Sequence, residues 1–147
     1  QDWLPERQIL IYPMLDPHGS SASYKVNATD YIITDKMLLS GFDMYLGDKS
    51  PEHIDANPEL NPLLCGDFRG LPPTSIITAE FDPLRDEGEQ LYRQLLKHGV
   101  EAHCERYLGV IHGFYQLSAV SQSAVRCISR IAAELASSTP STLNRGH

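Results

Sequence analysis

The alternation of apolar runs with amphipathic segments predicts an α/β protein with about three parallel strands and flanking helices. Three observations carry that prediction. First, extended and helical patterns follow one another as β, helix, β, helix, β, helix, the order that builds a parallel sheet covered by its crossovers. Second, Ser75-Ile76-Ile77-Thr78-Ala79 is an apolar, β-branched run without alternation, as in a strand buried on both faces. Third, this run ends in Glu80-Phe81-Asp82-Pro83, which puts a carboxylate at the carboxyl end of a strand, where open α/β sheets carry their functional groups. Three strands are few for such a sheet, so the sequence reads as the edge portion of a larger one.

Gln8-Ile9-Leu10-Ile11-Tyr12-Pro13 is a short apolar run with charge before it and proline after it, a strand expected to be covered on both faces. Residues 16–30 are rich in Gly, Ser, Asn, Asp and Thr without a period and read as a loop. Thr34 is then an N-cap, with Asp35 in the first turn. Met37, Leu38, Phe42, Tyr45 and Leu46 fall on one helical face before Gly47 stops the helix. From Asp48 to Pro73, the pairs Ser50-Pro51, Asn57-Pro58 and Asn61-Pro62 and the triplet Leu71-Pro72-Pro73 mark turns. They predict one long irregular connection at the rim of a site. After the Asp82 strand, Glu87 to His98 carries Leu91, Tyr92, Leu95 and Leu96 at helical spacing, with Arg93 and Lys97 late in the helix and Gly99 as a left-handed stop. Val100 to Tyr107 is extended and Gly109 to Phe114 is a loop. A helix follows from about Val120 to Leu135, with Val120, Ala124, Ile128, Ile131 and Leu135 on one stripe. The polar tail, 137–147, is expected to be disordered.

The chain of 147 residues, 41% of them hydrophobic, has the length and apolar content of one globular domain. A net charge of -7 without a local Lys/Arg cluster disfavours nucleic acid and anionic membrane surfaces as partners. Cys65, Cys104 and Cys127 are odd in number and widely spaced, so neither a disulfide framework nor a CxxC metal or redox site is indicated. Reduced thiols and a cytoplasmic location are expected. No window approaches the ~18 apolar residues of a membrane span, and the amino end has no basic region followed by an apolar one. The sequence opens with Gln1, almost inside a strand, which raises the expectation that a segment precedes it.

Function is expected at the strand ends. Asp82, and His112 within Val110-Ile111-His112-Gly113-Phe114, are candidates for the acid and base arms of a catalytic triad. Each has a plainer reading. Asp82-Pro83 also suits a turn or a helix start, with aspartate as cap and proline at the first helical position, and His112 suits a loop histidine satisfied by backbone. Asp86 and Glu87 rival Asp82 as the acid, but they fall in the first turn of the next helix, where the dipole favours negative charge, and read as helix-start charges. The spacing of His98, His103, Cys104 and His112 fits no zinc-ligand pattern, so no metal is expected.

The succession Leu10-Ile11-Tyr12-Pro13-Met14-Leu15-Asp16, Asn61-Pro62-Leu63-Leu64, Gly70-Leu71-Pro72-Pro73, Thr78 to Glu87 and Ile111-His112-Gly113-Phe114 resembles the carboxyl-terminal half of the hormone-sensitive-lipase-like family of α/β-hydrolase esterases. The likeness runs from about residue 8 to 135. It implies the carboxyl-terminal part of an α/β-hydrolase fold, with Asp82 on the family's catalytic acid and His112 on its catalytic base. Their chain order agrees with the Ser, Asp, His order of that fold. It implies short to medium acyl esters as substrates and no cofactor. Leu84, Ile111 and Phe114 are then candidates to border the acyl or alcohol pocket, with packing as the alternative. Leu108 stands where the family usually has proline, a change in loop stiffness.

The nucleophile is where the chain departs from the family. There the serine lies on a GxSxG elbow and the oxyanion hole on an HGG-type loop, both before the strand that opens this chain, and neither motif occurs here. His18-Gly19-Ser20 is followed by Ser21-Ala22 and lacks a strand-to-helix context; Ser40, Ser75, Ser118 and Ser121 lack an elbow. Without a positioned serine the imidazole has nothing to deprotonate, and without oxyanion donors the site lacks what is usually its largest stabilising contribution. The expectation is the carboxyl-terminal portion of a serine carboxylesterase or lipase, inactive alone. The alternative is a noncatalytic hydrolase-derived module acting in binding or self-association, its apolar sheet edge covered by a missing amino-terminal half or by another copy.

Overall fold

The computed structural model describes residues 4–29 and 31–138, in two compact units, Gln1–His112 and Gly113–His147. The first unit holds a three-stranded parallel sheet of β1 (Gln8–Ile11), β2 (Thr74–Phe81) and β3 (Ala102–Ile111), in the order β1-β2-β3. The alternation had predicted this. The middle strand is buried from Thr74 to Ala79, which explains its apolar run without a polar face. Ile76 packs with Leu63, Phe68, Leu91, Leu95 and Val100 in the main core.

Two strands differ from expectation. β1 is only half-buried at all four positions rather than covered on both faces, because it is an edge strand with one partner among the described residues. β3 runs on to Ile111, through residues expected to be a loop. Its register on β2 shifts between Ala79 and Phe81, and there Gly109, with φ 73, donates its N–H to Glu80 Oε2 at 2.6 Å. A glycine in that conformation lets the strand bulge and resume instead of ending.

The helices of this unit are α1 (Ala22–Val26), α2 (Asp35–Leu46), α3 (Pro51–Ala56) and α4 (Arg85–Lys97). α2 starts as predicted, with Thr34 Oγ1 accepting the Met37 N–H at 3.3 Å, and ends at Gly47 with φ 59. Its buried stripe is Leu38, Phe42 and Leu46; Met37 and Tyr45, expected on the same face, are exposed. Both expected loops contain short helices. In the first, Ser21 caps α1 by accepting the Tyr24 N–H. In the second, Ser50-Pro51 is a helix start rather than a turn: Ser50 Oγ accepts the His53 N–H, and Pro51 takes the first helical position. A 3-10 turn follows at Pro62–Leu64. α4 begins two residues before the expected Glu87 and stops before Gly99, whose φ is 75. Gly88 lets α4 lie close on β2, since a Cβ there would come within 3.1 Å of Thr78 Cγ2.

The second unit has a 3-10 turn, Phe114–Leu117, and α5 (Gln122–Ser138), with Ser121 Oγ accepting the Ala124 N–H. Of the expected stripe only Ala124 is buried, and Val120 precedes the helix and is 85% exposed; Cys127 is the second buried position. Ser137 and Ser138 belong to α5, so the expected disorder does not hold for them, and 139–147 lie outside the described residues. None of the three cysteines is in a disulfide, and no helix among the described residues is long and apolar enough to cross a membrane.

Candidate active site

Because the three strands are parallel, their carboxyl ends lie on one side of the sheet, and Tyr12, Asp82 and His112 are the residues that directly follow β1, β2 and β3. Asp82 is fully buried, and its two carboxylate oxygens have different partners. Oδ1 accepts the Leu84 N–H at 2.9 Å, and Oδ2 lies 2.9 Å from His112 Nδ1. Asp82-Pro83 forms a turn and not the helix cap that the plainer reading allowed, since Leu84 is the N-cap of α4 and Pro83 precedes the helix; the turn contact leaves the second oxygen facing the imidazole. An ionised carboxylate only accepts, so opposite an ionised Asp82 the proton sits on Nδ1, and a neutral ring then presents its Nε2 lone pair. The His112 side chain is 18% exposed.

Tyr12 was missed in the sequence. Its ring centroid lies 4.2 Å from that of His112, tilted by 51°. It has φ 37, the only positive value at a non-glycine among the described residues, while its N–H still reaches Ile77 O at 2.7 Å. A bulky residue in that region is strained, and such strain concentrates at functional sites. The only sequence trace was the tyrosine-proline pair ending β1, which marks a strand end but not a ring beside the histidine.

Residues 1–116 match the family described as alpha/beta hydrolase fold. The chain belongs to that family. The carboxylic ester hydrolase LipN of Mycobacterium tuberculosis is 37% identical over 114 residues, which cover 77% of this chain and 30% of LipN. An arylesterase of Saccharolobus solfataricus is 38% identical over 74 residues, 50% of this chain and 23% of the arylesterase. Among solved structures, an esterase of Pyrobaculum calidifontis superposes with a TM-score of 0.78 at 36% identity, covering 90% of this chain and 43% of the esterase. An esterase of Rhizomucor miehei superposes with a TM-score of 0.80 at 34% identity, covering 90% and 42%. The chain thus spans less than half the length of these α/β hydrolases.

Within this α/β-hydrolase chain the rival acids are otherwise engaged. Asp86 pairs with Arg85 Nε at 2.9 Å and accepts the Ser23 N–H at 2.8 Å. Glu87 is not the helix-start charge expected of it, because it is fully buried. Its Oε2 accepts the N–H groups of Leu15, at 2.9 Å, and of Asp16, and Oε1 has no hydrogen-bond partner among the described residues. Burial pushes Glu87 up to about 8, with the charges of Asp16 and Asp82 adding and the two N–H donors opposing. A pattern of first-turn acids cannot distinguish a solvated carboxylate from one folded under a loop.

The apolar candidates part company. Leu84 is 1% exposed and packs with Tyr24 and Leu38, so it is a core residue. Ile111 is half-buried, and Phe114 is buried in the second unit. In His18-Gly19-Ser20, His18 Nε2 meets Asp55 Oδ1 at 2.7 Å and Ser20 Oγ donates to Asp16 Oδ2 at 2.6 Å, a satisfied turn without an elbow. Ser75 lies near the amino end of β2, opposite His103 and roughly 20 Å along the strand from Asp82. His98 Nδ1 contacts Gln94 O at 2.8 Å, and no three His, Cys, Asp or Glu side chains gather around a metal position among the described residues.

Proposed function

We propose that the chain is the carboxyl-terminal portion of a serine carboxylesterase acting on short to medium acyl esters, without a cofactor. His112 Nε2 takes the proton from a serine hydroxyl supplied by an amino-terminal portion and returns it to the leaving alkoxide. Asp82 holds the imidazole in the Nδ1-protonated tautomer and stabilises the imidazolium. The 2.9 Å contact between Asp82 Oδ2 and His112 Nδ1 at neighbouring strand ends is the observation that supports this reading. The esterase relatives support the reaction class; one is named an ethyl acetate hydrolase, from Pseudomonas putida, 27% identical over 120 residues. Ile111, next to His112, borders the acyl or alcohol pocket. The same amino-terminal portion covers the outer edge of β1, and the thiols fit a reducing, cytoplasmic setting.

The test is turnover of an activated short-chain ester by the chain alone and by the chain mixed with the amino-terminal half of a family esterase that carries the elbow and oxyanion loop. Turnover is expected only in the mixture. Hydrolysis by the chain alone, abolished by changing one of its own serines, would overturn the proposal. A folded mixture that remains inert would favour a noncatalytic module.

A further inference from the structure

The turn that carries Asp82 is gripped from outside its own helix. α4 has Leu84 as N-cap, which offers no side-chain acceptor; the Arg85 N–H donates to Asp82 O within the turn at 3.2 Å, and the next N–H needs a partner from elsewhere. α1 supplies one. The Asp86 N–H donates to Ser23 Oγ at 3.1 Å, the Ser23 hydroxyl donates to Pro83 O at 2.6 Å, and the Ser23 N–H donates to Asp86 Oδ2 at 2.8 Å. Two helix starts thus cap each other. At the far end of α1, Asn27 Nδ2 donates to Asp82 O at 3.2 Å. Ser23 and Asn27 are both buried, and their bonds to the Pro83 and Asp82 carbonyls are closed to water, whereas the two bonds with Asp86 are part-buried.

We propose that Ser23 and Asn27 are positioning residues for the Asp82–His112 pair. The catalytic meaning of this role rests on the esterase reading above. With Oδ1 tied to the Leu84 N–H, the direction of Oδ2 follows the peptide planes of residues 82–84, and Ser23 and Asn27 hold the carbonyls of two of those planes. A hydroxyl can donate and accept at once, as position 23 requires. Alanine there can do neither and would leave a buried carbonyl and a part-buried N–H without these partners. The turn would then relax and carry Oδ2 off the imidazole.

The experiment compares the unaltered chain with Ser23→Ala, Asn27→Ala, Asp82→Asn and Ser20→Ala. Ser20→Ala removes a hydroxyl of the same segment that bonds Asp16 and not the acid turn. The His112 tautomer is read from ring ¹⁵N shifts in each chain, and kcat and KM are read in the mixture with the amino-terminal half. Ser23→Ala is expected to convert His112 from the Nδ1-protonated form to a mixture, and to lower kcat on the order of 10- to 100-fold with KM little changed. Ser20→Ala, which costs stability only, should move neither. An unchanged His112 tautomer and kcat in Ser23→Ala would overturn the inference. If Ser23→Ala does not fold, Asn27→Ala, which removes a single bond, decides by the same readings. Full turnover by Asp82→Asn would instead sink the esterase reading, while the tautomer comparison would still judge the positioning role.

Discussion

Asp82 shows at the residue scale how one side chain serves a turn and an imidazole together. Replacing it with asparagine is not a neutral swap. The Leu84 N–H keeps the amide oxygen on the turn side, so the NH₂ faces His112 Nδ1 and forces it to accept, which moves the proton to Nε2. Asp82→Asn should therefore lower kcat in the reconstituted mixture on the order of 10⁴-fold, measured with an activated ester. Glu87 makes a second prediction. Its folded value of about 8 lies above the ordinary 4.5, so between those values the folded chain holds a proton that the unfolded chain has lost. Stability then falls as pH rises through that window, by at most ~1.4 kcal/mol per pH unit, and levels off above it. Glu87→Gln keeps an acceptor for Leu15 and Asp16 without the charge. Urea unfolding of this variant should lose that slope and show higher stability than the parent at pH 9. Asp82 could be picked out because it ends an apolar run, and His112 because it follows a strand, although the sequence placed it in a loop that β3 in fact runs through. Glu87 was not, because its burial depends on Leu15 and Asp16, more than 70 residues away in sequence.

At the scale of elements, helices with long amphipathic patterns and clear stops could be read, and short ones could not. α2 and α4 declare themselves through Thr34, Gly47 and Gly99. α1 and α3 have five and six residues, too few for a period, and in isolation such helices do not form. α3 exists because Ile54 buries itself with Phe42 and Leu46, a contact that the prolines and asparagines around the helix conceal. The bulge in β3 was hidden for a related reason: Gly109 looks like a loop glycine until its N–H is seen on Glu80. Gly109→Ala places a Cβ at φ 73 and should cost about 1–2 kcal/mol by urea denaturation. It should also lower kcat in the mixture, since the end of β3 carries His112.

For the whole molecule, the alternating order of elements was enough to give three parallel strands in sequence order, and the ordered motifs were enough to give the family. The half-buried state of β1 was not readable, because an apolar run looks the same whether or not a neighbour covers it. Parallel strands also divide the sheet into two rims with different duties. The rim where the strands begin is joined by Gln8 Nε2 on Thr74 Oγ1 at 2.7 Å and holds none of the groups assigned to chemistry. Thr74→Val should lower the denaturation midpoint by the equivalent of ~1 kcal/mol and leave kcat in the mixture intact. Substitution is thereby expected to read differently along the strands, disturbing stability alone where they begin and both stability and turnover where they end.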